Sequence, residues 1–314
     1  MSTMRAVTVA EFGNPGVLEI TDVPLPHPGP GQVRIAVVAA GVNPVDPYNV
    51  EDPSWAGVEL GFIPGYDVAG TVHAVGVGVD PALVGRRAMA MTAFPKGQGG
   101  YAEYTVVDES LVGYLADDAD LPAAASIPLA AGTASEAVSK VTSAGPHVLV
   151  IGASGGVGLF ALQFAHHHDL RPVALGRSRS HKVMRECGAA HCVDYTAPDA
   201  IADAAARAGG TFDAIIDLVG GPLTQQAQPY LRDDGVICAI ATPELDVDSL
   251  IDHNQSFHGV LIRDNGQRMR TLADLYTLGR LTTHVTAVLP LEQAAEGHQL
   301  LASGAAGGKV VLTP

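Results

Sequence analysis

Cysteine is scarce: the chain has three, Cys187, Cys192 and Cys238, and none stands at a C-x-x-C spacing. That excludes a disulfide framework and a zinc knuckle, and points to a reducing, cytoplasmic setting. Positive charge is also short, with 18 Lys and Arg against 33 Asp and Glu and a formal net charge of -15. Such a field repels phosphate backbones and anionic membrane surfaces, so neither nucleic acid nor a membrane is expected as partner. The opening residues, MSTMRAVTVAEF, alternate almost at once and carry no apolar core of a secretory signal. Internal repeats and low-complexity segments are missing as well. One uncharged run, Val148 to Ala165, has the 18-residue length of a membrane span. Five of its first eleven residues are Gly or Ser, which breaks it into a strand, a loop and a helix and makes it a buried segment.

What remains is a globular composition: 314 residues, 47% hydrophobic and 16% charged, enough for about two domains. As far as residue 120 the chain carries short alternating runs such as QVRIAVVAAGV and DVAGTVHAVG between Gly and Pro, the pattern of half-buried strands. From Pro146 the rhythm changes to wholly apolar bursts (HVLVIG, RPVALG, FDAIIDLVG, GVICAIA) alternating with segments of helical length. Strands buried on both faces with helices between them predict right-handed crossovers and a doubly wound parallel sheet. The fold class is therefore α/β, with a β-rich unit ahead of the parallel sheet. After Thr283 the pieces HVTAVLPL, EQAAEGHQLLAS and GKVVLTP fit either unit by spacing alone.

After HVLVI the chain reads Gly152-Ala153-Ser154-Gly155-Gly156-Val157-Gly158. Ala153, Gly155 and Gly158 fill the three small-residue slots of a dinucleotide fingerprint, with a helix expected to open at Gly156. The next strand ends at Gly176, 24 residues after Gly152, where an NAD site would carry an acid. None is there. Instead Arg171, Arg177, Arg179, Lys182 and Arg185 place five of the 18 basic residues within 15 positions that contain no acid. Arg177 offers a planar fork, Ser178 a hydroxyl and Lys182 a point charge, a set suited to a 2′-phosphate. NADPH is the coenzyme this pattern predicts. Arg171 and Arg185 are read as solvated.

With the fingerprint placed, further motifs resemble the medium-chain dehydrogenase/reductase family, in its zinc-free quinone oxidoreductase (zeta-crystallin-like) branch. They are AGVNPVDPY at 40–48, IPGYDVAGTVHAVG at 63–76, GRRAMAM at 85–91, GGYAEYTVV at 99–107, LPAAASIPLAAGTA at 121–134 and the terminal GKVVL. The resemblance implies a GroES-like β-rich catalytic domain from residues 1–120 and 284–314, a Rossmann domain from 121–283, and an active site in the cleft. Zinc-dependent relatives carry Cys near Val42 or Asn43 and Gly-His-Glu where this chain has Gly65-Tyr66-Asp67, and the four-cysteine lobe is absent. Without those ligands no tetrahedral site is expected, and His166-His167-His168, adjacent on a helix, cannot converge on one ion.

The chemistry that the resemblance implies is reduction of quinones or of the C=C bond of α,β-unsaturated carbonyl compounds. It puts Asn43 and Tyr48 by the nicotinamide and substrate, with Tyr48 as hydrogen-bond donor or proton source and Asp46 fixing the loop. It also assigns Thr133 to the nicotinamide, Tyr195 to the adenosine side, Leu218, Val219 and Gly220 to the loop after the fourth strand, and Lys309 as a weaker cofactor contact. Two alternatives stay open. One is an enoyl-thioester reductase, for which the β-rich unit offers only Arg86, Arg87 and Lys96 as central cations. The other is a non-catalytic NADPH-binding protein. The segment FHGVLI at 257–262 is expected to be a sheet edge that pairs across a two-fold axis in a homodimer.

Overall fold

The computed structural model describes residues 2–13, 18–95 and 99–314, and Lys96 lies outside the described residues. The alternating runs at the start form β1 (Thr3–Val9), β2 (Leu18–Pro24), β3 (Gln32–Val42), α1 (Val45–Glu51), β4 (Asp67–Val75), β5 (Arg87–Met91), β6 (Tyr104–Asp108) and β7 (Val112–Tyr114). Two helices follow, α2 (Leu121–Ala124) and α3 (Pro128–Ser139). Then strands and helices alternate: β8 (His147–Ile151), α4 (Gly156–His167), β9 (Arg171–Gly176), α5 (His181–Glu186), β10 (His191–Asp194), α6 (Ala200–Arg207), β11 (Phe212–Asp217), α7 (Leu223–Ala227), β12 (Leu231–Ala239), α8 (Val247–Asp252) and β13 (Ser256–Gly259). The chain closes with α9 (Gly266–Thr277), β14 (Val285–Pro290), α10 (Ala294–Ala302) and β15 (Lys309–Thr313).

By contacts the chain divides into two compact units, Met1–Gly132 with Arg263–Pro314, and Thr133–Ile262. In the first, a sheet runs in the order β14-β15-β3-β4-β5-β7 with β6 also on β3, beside a β1–β2 hairpin. β15 lies antiparallel to β3 with Val310 opposite Val42, so the tail belongs to this sheet and Lys309 arrives where β3 ends. In the second, the order is β10-β9-β8-β11-β12-β13 and every pair is parallel. Val148, Leu149, Val150, Ile215 and Ile216 are inaccessible to solvent. Each such side chain contributes ~1.5–3 kcal/mol on burial, which is why these strands are apolar throughout. The order reverses between β8 and β11, and ligands of open parallel sheets bind outside the strand ends at such a point.

The contact division, at 132/133 and 262/263, differs from the expected limits at 120/121 and 283/284 by two segments. One of them holds α9, which packs on β7. A Cβ at Gly113 would lie 2.8 Å from the Met269 carbonyl oxygen, so only glycine admits the helix there. Arg270 Nη1 donates to the Ser110 carbonyl at 3.1 Å and the Tyr276 hydroxyl to the Asp120 carbonyl at 3.0 Å. Only Met269, Leu272 and Ala273 of α9 are buried, a stripe too narrow to mark a core helix in the sequence. Among the described residues no helix is long and apolar enough to cross a membrane.

Candidate functional site

In the second unit β8 delivers the chain to Gly152, whose φ of +79° favours a residue without a side chain. The turn is closed by α4: a Cβ at Gly158 would sit 2.4 Å from the Gly152 carbonyl oxygen and 2.6 Å from Ala153 Cα. Ala153 is buried and its N–H donates to the Leu175 carbonyl at 3.1 Å, tying the loop to β9. Gly176 closes the same corner, since a Cβ there would meet Ser154 Cβ at 3.1 Å and Met184 Sδ at 2.9 Å. Gly155, by contrast, is exposed, and its Cβ would approach only the Gly152 carbonyl, at 3.4 Å. The first turn of the twelve-residue α4, from Gly156 and Val157, then presents N–H groups that have no partner within the helix. A tight glycine turn at a helix N-terminus fits a dinucleotide pyrophosphate. Residues 152–158 and 176 are thus brought together as one cradle.

The loop after β11 forms its far wall. Leu218 N–H donates to the Ile151 carbonyl at 3.2 Å, and a Cβ on Gly152 would come 2.5 Å from Val219 Cγ2. Asp217, fully buried at the end of β11, holds this turn: Oδ1 accepts the N–H groups of Val219 and Gly220 at 2.8 and 2.9 Å, and Oδ2 the Thr224 hydroxyl at 2.6 Å. Sequence reasoning missed Asp217, although an acid closing the apolar run FDAII ahead of Leu-Val-Gly-Gly was a usable signal. Thr133 is buried in α3.

The basic rim lies just beyond β9. Arg177 Nε donates to the Tyr195 hydroxyl at 2.9 Å, and the guanidinium carbon stands 5.7 Å from the centre of that ring. Tyr195 therefore braces Arg177 from β10's side. Gly176 pairs with Asp194 across the parallel ladder, which brings a carboxylate to a rim that looked free of acid along the chain. Asp194 Oδ2 accepts the Ser178 N–H at 2.8 Å, while Oδ1 accepts Thr196 N–H and hydroxyl at 2.9 and 2.7 Å. These bonds from Thr196 and Ser178 hold its carboxyl well below the usual carboxylate range. Lys182 is exposed and reaches Glu186 at 3.9 Å, a surface i,i+4 pair of small energy.

In the first unit the motif residues meet in a buried polar cluster. Asn43 is 1% exposed, and its groups all have partners. Its N–H donates to Asp46 Oδ2 at 2.8 Å, its carbonyl accepts the Asp46 N–H at 3.0 Å, and Nδ2 donates to Asp67 Oδ2 at 2.9 Å. Lys309 Nζ donates to Asn43 Oδ1 at 2.5 Å and to the Val42 carbonyl at 3.0 Å, and lies 3.6 Å from Asp67 Oδ2. Asp67 Oδ1 accepts the Leu129 N–H at 2.7 Å. The Tyr101 hydroxyl donates to Asp46 Oδ2 at 3.0 Å and stands 3.3 Å from His298 Nε2. Burial raises the Asp46 carboxyl to about 7, against the lowering effect of the Asn43 N–H and the Tyr101 hydroxyl. Burial also pushes Asp67 up and Lys309 down, each opposed by attraction to the other, and drives His298 down to about 4.

Tyr48 differs from these neighbours. It rides on α1 at 49% exposure, its ring 6.1 Å from that of Trp55, which continues to Phe94 at 5.7 Å and on to Tyr66 at 4.9 Å. Of the two residues expected at the reacting centre, Tyr48 is accessible and Asn43 is enclosed. At Tyr66, where zinc-dependent relatives carry His, the hydroxyl accepts from Asn49 Nδ2 and donates to the Pro95 carbonyl, both at 2.6 Å. Among the described residues no group of three or more His, Cys, Asp or Glu is placed to hold a metal ion.

Two family patterns match the chain: "Alcohol dehydrogenase GroES-like domain" over residues 29–117 and "Zinc-binding dehydrogenase" over residues 187–312. A quinone oxidoreductase of Lama guanicoe is 32% identical, the match covering 98% of this chain and 97% of the relative. An NADPH-dependent alkenal/one oxidoreductase of Arabidopsis thaliana chloroplasts is 29% identical over 99% of this chain and 80% of the relative. A mycobacterial protein solved in complex with NADPH superimposes with a TM-score of 0.87 at 31% identity, covering 99% of this chain and all of the other.

Proposed function

The chain belongs to the medium-chain dehydrogenase/reductase family, and from that premise we propose that it takes NADPH and, without zinc, reduces quinones or the C=C bond of α,β-unsaturated carbonyl compounds. The observation that carries the reading is the braced guanidinium of Arg177 at the rim of a cradle in which Gly158 has no room for a side chain. The N–H groups of Gly156 and Val157 would hold the pyrophosphate, with Leu218, Val219 and Gly220 as the facing wall. Arg177, whose Nε is held by the Tyr195 hydroxyl, would pair with the 2′-phosphate, while Asp194 is engaged by Ser178 and Thr196. When bound, the coenzyme supplies hydride from C4 of its nicotinamide. Tyr48, exposed on α1, would donate its hydroxyl to the substrate's carbonyl oxygen as negative charge develops there.

The reading without zinc rests on what occupies the ligand positions. Asn43 and Tyr66 bring neither thiolate nor imidazole, and Asp67 is neutralised by the Lys309 ammonium, whose charge repels a divalent cation from the same carboxylate. The exposed edge strand β13, with Val247 and Ile251 of the preceding helix α8 at 60% and 70% exposure, supports a homodimer. Cys187 and Cys238, thiols that burial raises to about 11 and about 12, suit a cytoplasmic protein.

The test is oxidation of NADPH, and separately of NADH, against naphthoquinones, aliphatic and aromatic enones, and enoyl thioesters. At least an about tenfold preference for NADPH with a quinone or enone is expected. Equal use of NADH, or turnover only with thioesters, refutes the reading. Tight NADPH binding with no turnover at all would favour a binding protein.

A further inference from the structure

The geometry points to Lys309 as a positioning residue: its buried ammonium, paired with Asp67, fixes the Asn43 amide and through it the helix that presents Tyr48. This rests on the reading of Tyr48 given above. Lys309 is 4% exposed, and its Nζ has three oxygens around it: the Val42 carbonyl, Asn43 Oδ1 and Asp67 Oδ2. An ammonium has three donors and no acceptor, so the amide oxygen of Asn43 must face it. The Asn43 Nδ2 must then face Asp67 Oδ2, as it does. Flipping the amide would set its NH2 against the ammonium and its oxygen against the carboxylate, two repulsive contacts in a buried site. The ion pair thus gives Asn43 a single orientation.

Asn43 transmits that constraint to α1. It is bonded reciprocally to Asp46 in the helix's first turn, N–H to Oδ2 and carbonyl to N–H. Tyr48 lies two residues further on, its own N–H donating to the Pro44 carbonyl at 3.4 Å. Asp67 is anchored from the other side by the Leu129 N–H, and Gly41 lets it approach, since a Cβ there would lie 3.0 Å from Asp67 Cβ. A buried ion pair is a poor source of stability, and apolar residues of similar volume commonly replace one without loss. What a methionine at 309 would not supply is a donor for Asn43 Oδ1.

The experiment uses the full chain with Lys309→Met/Asp67→Leu, Lys309→Gln/Asp67→Leu and Tyr48→Phe, alone and combined; leucine at 67 adds no donor of its own, so the two double variants differ only in whether residue 309 can donate to Asn43 Oδ1. Melting temperature, NADPH affinity by fluorescence titration, and kcat and KM with 1,4-naphthoquinone are read for each. Both double variants remove the two charges together, so neither leaves a lone buried ion. The Met and Gln forms are both expected to fold, to melt within about 5 °C of each other and to keep NADPH affinity, with the Met form losing about tenfold in kcat and the Gln form, which restores a neutral donor, recovering most of it. In the Tyr48→Phe background the same Met change is expected to lower kcat by less than about threefold. Equal loss in the two backgrounds, equal loss in the Met and Gln forms, or no loss in either overturns the assignment. So does a Met form that no longer folds, because the pair would then serve the fold itself. If Tyr48→Phe alone leaves kcat unchanged, the reading of Tyr48 fails first and this inference falls with it.

Discussion

Asp46→Asn removes a carboxyl that burial holds at about 7 in the folded chain. An unfolded aspartate titrates near ~3.9. Between those values the folded protein keeps a proton that the unfolded chain has released. The stability linked to that proton is therefore fully present below the lower value and is lost as pH rises through the upper one. Asp46 is wholly buried, so solvent screening does not shrink the effect. The gap corresponds to ~4 kcal/mol when crossed completely, and to ~2–3 kcal/mol between about pH 5 and about pH 8. His298, held down at about 4, works in the opposite direction below its ordinary range: there the unfolded chain binds the extra proton, and stability rises with pH. That contribution is common to both proteins and cancels in their difference. Urea unfolding followed by the fluorescence of Trp55, the chain's one tryptophan, reports the first unit, in which Asp46 lies. Asp46→Asn is expected to gain ~2–3 kcal/mol on the wild type between those two pH values. A difference that stays constant over that range would refute the assignment of a neutral, proton-bearing Asp46.

Gly158→Ala drives a methyl group to 2.4 Å from the Gly152 carbonyl, and an NADPH dissociation constant at least about tenfold higher is expected by fluorescence titration. An unchanged constant would remove the cradle from coenzyme binding. Arg177→Ala deletes the braced fork and should raise KM for NADPH by about tenfold or more while leaving NADH unaffected, as a lost charge-assisted bond of ~1.5–3 kcal/mol implies. A parallel loss for both coenzymes would mean that Arg177 serves the loop and not the phosphate. Tyr48→Phe should lower kcat by about tenfold, measured with a quinone at saturating NADPH.

The glycine cradle was legible because each requirement on it is local: a turn after a buried strand, and a helix packed within six residues of that turn. The parallel sheet was legible for a related reason, since HVLVI and FDAIID have to be apolar on both faces. The basic rim was half legible. Arg177 and Ser178 stand next to Gly176 in the chain, but Asp194 reaches them through strand pairing, and no window along residues 171–185 contains it. Lys309 and Asn43 are separated by 266 positions and meet only because β15 lies on β3. A lysine at a strand terminus reads as solvated, and the carboxylate of Asp67 that pairs with this one is invisible until the sheet is formed. The helix α9 escaped for a similar reason, its narrow apolar stripe being matched to a glycine on β7 more than 150 positions away.

The antiparallel seating of β15 beside β3 also sets an order of events during synthesis. The parallel-sheet unit is one uninterrupted stretch and can fold while the ribosome is still translating. The unit that starts first has to wait, because the strand that neutralises Asp67 is translated only after all of the other unit has emerged. Until then an acidic side chain meant for a dry interior has no counter-charge, and the nascent β-rich layer is the part of the molecule that chaperones would be expected to guard.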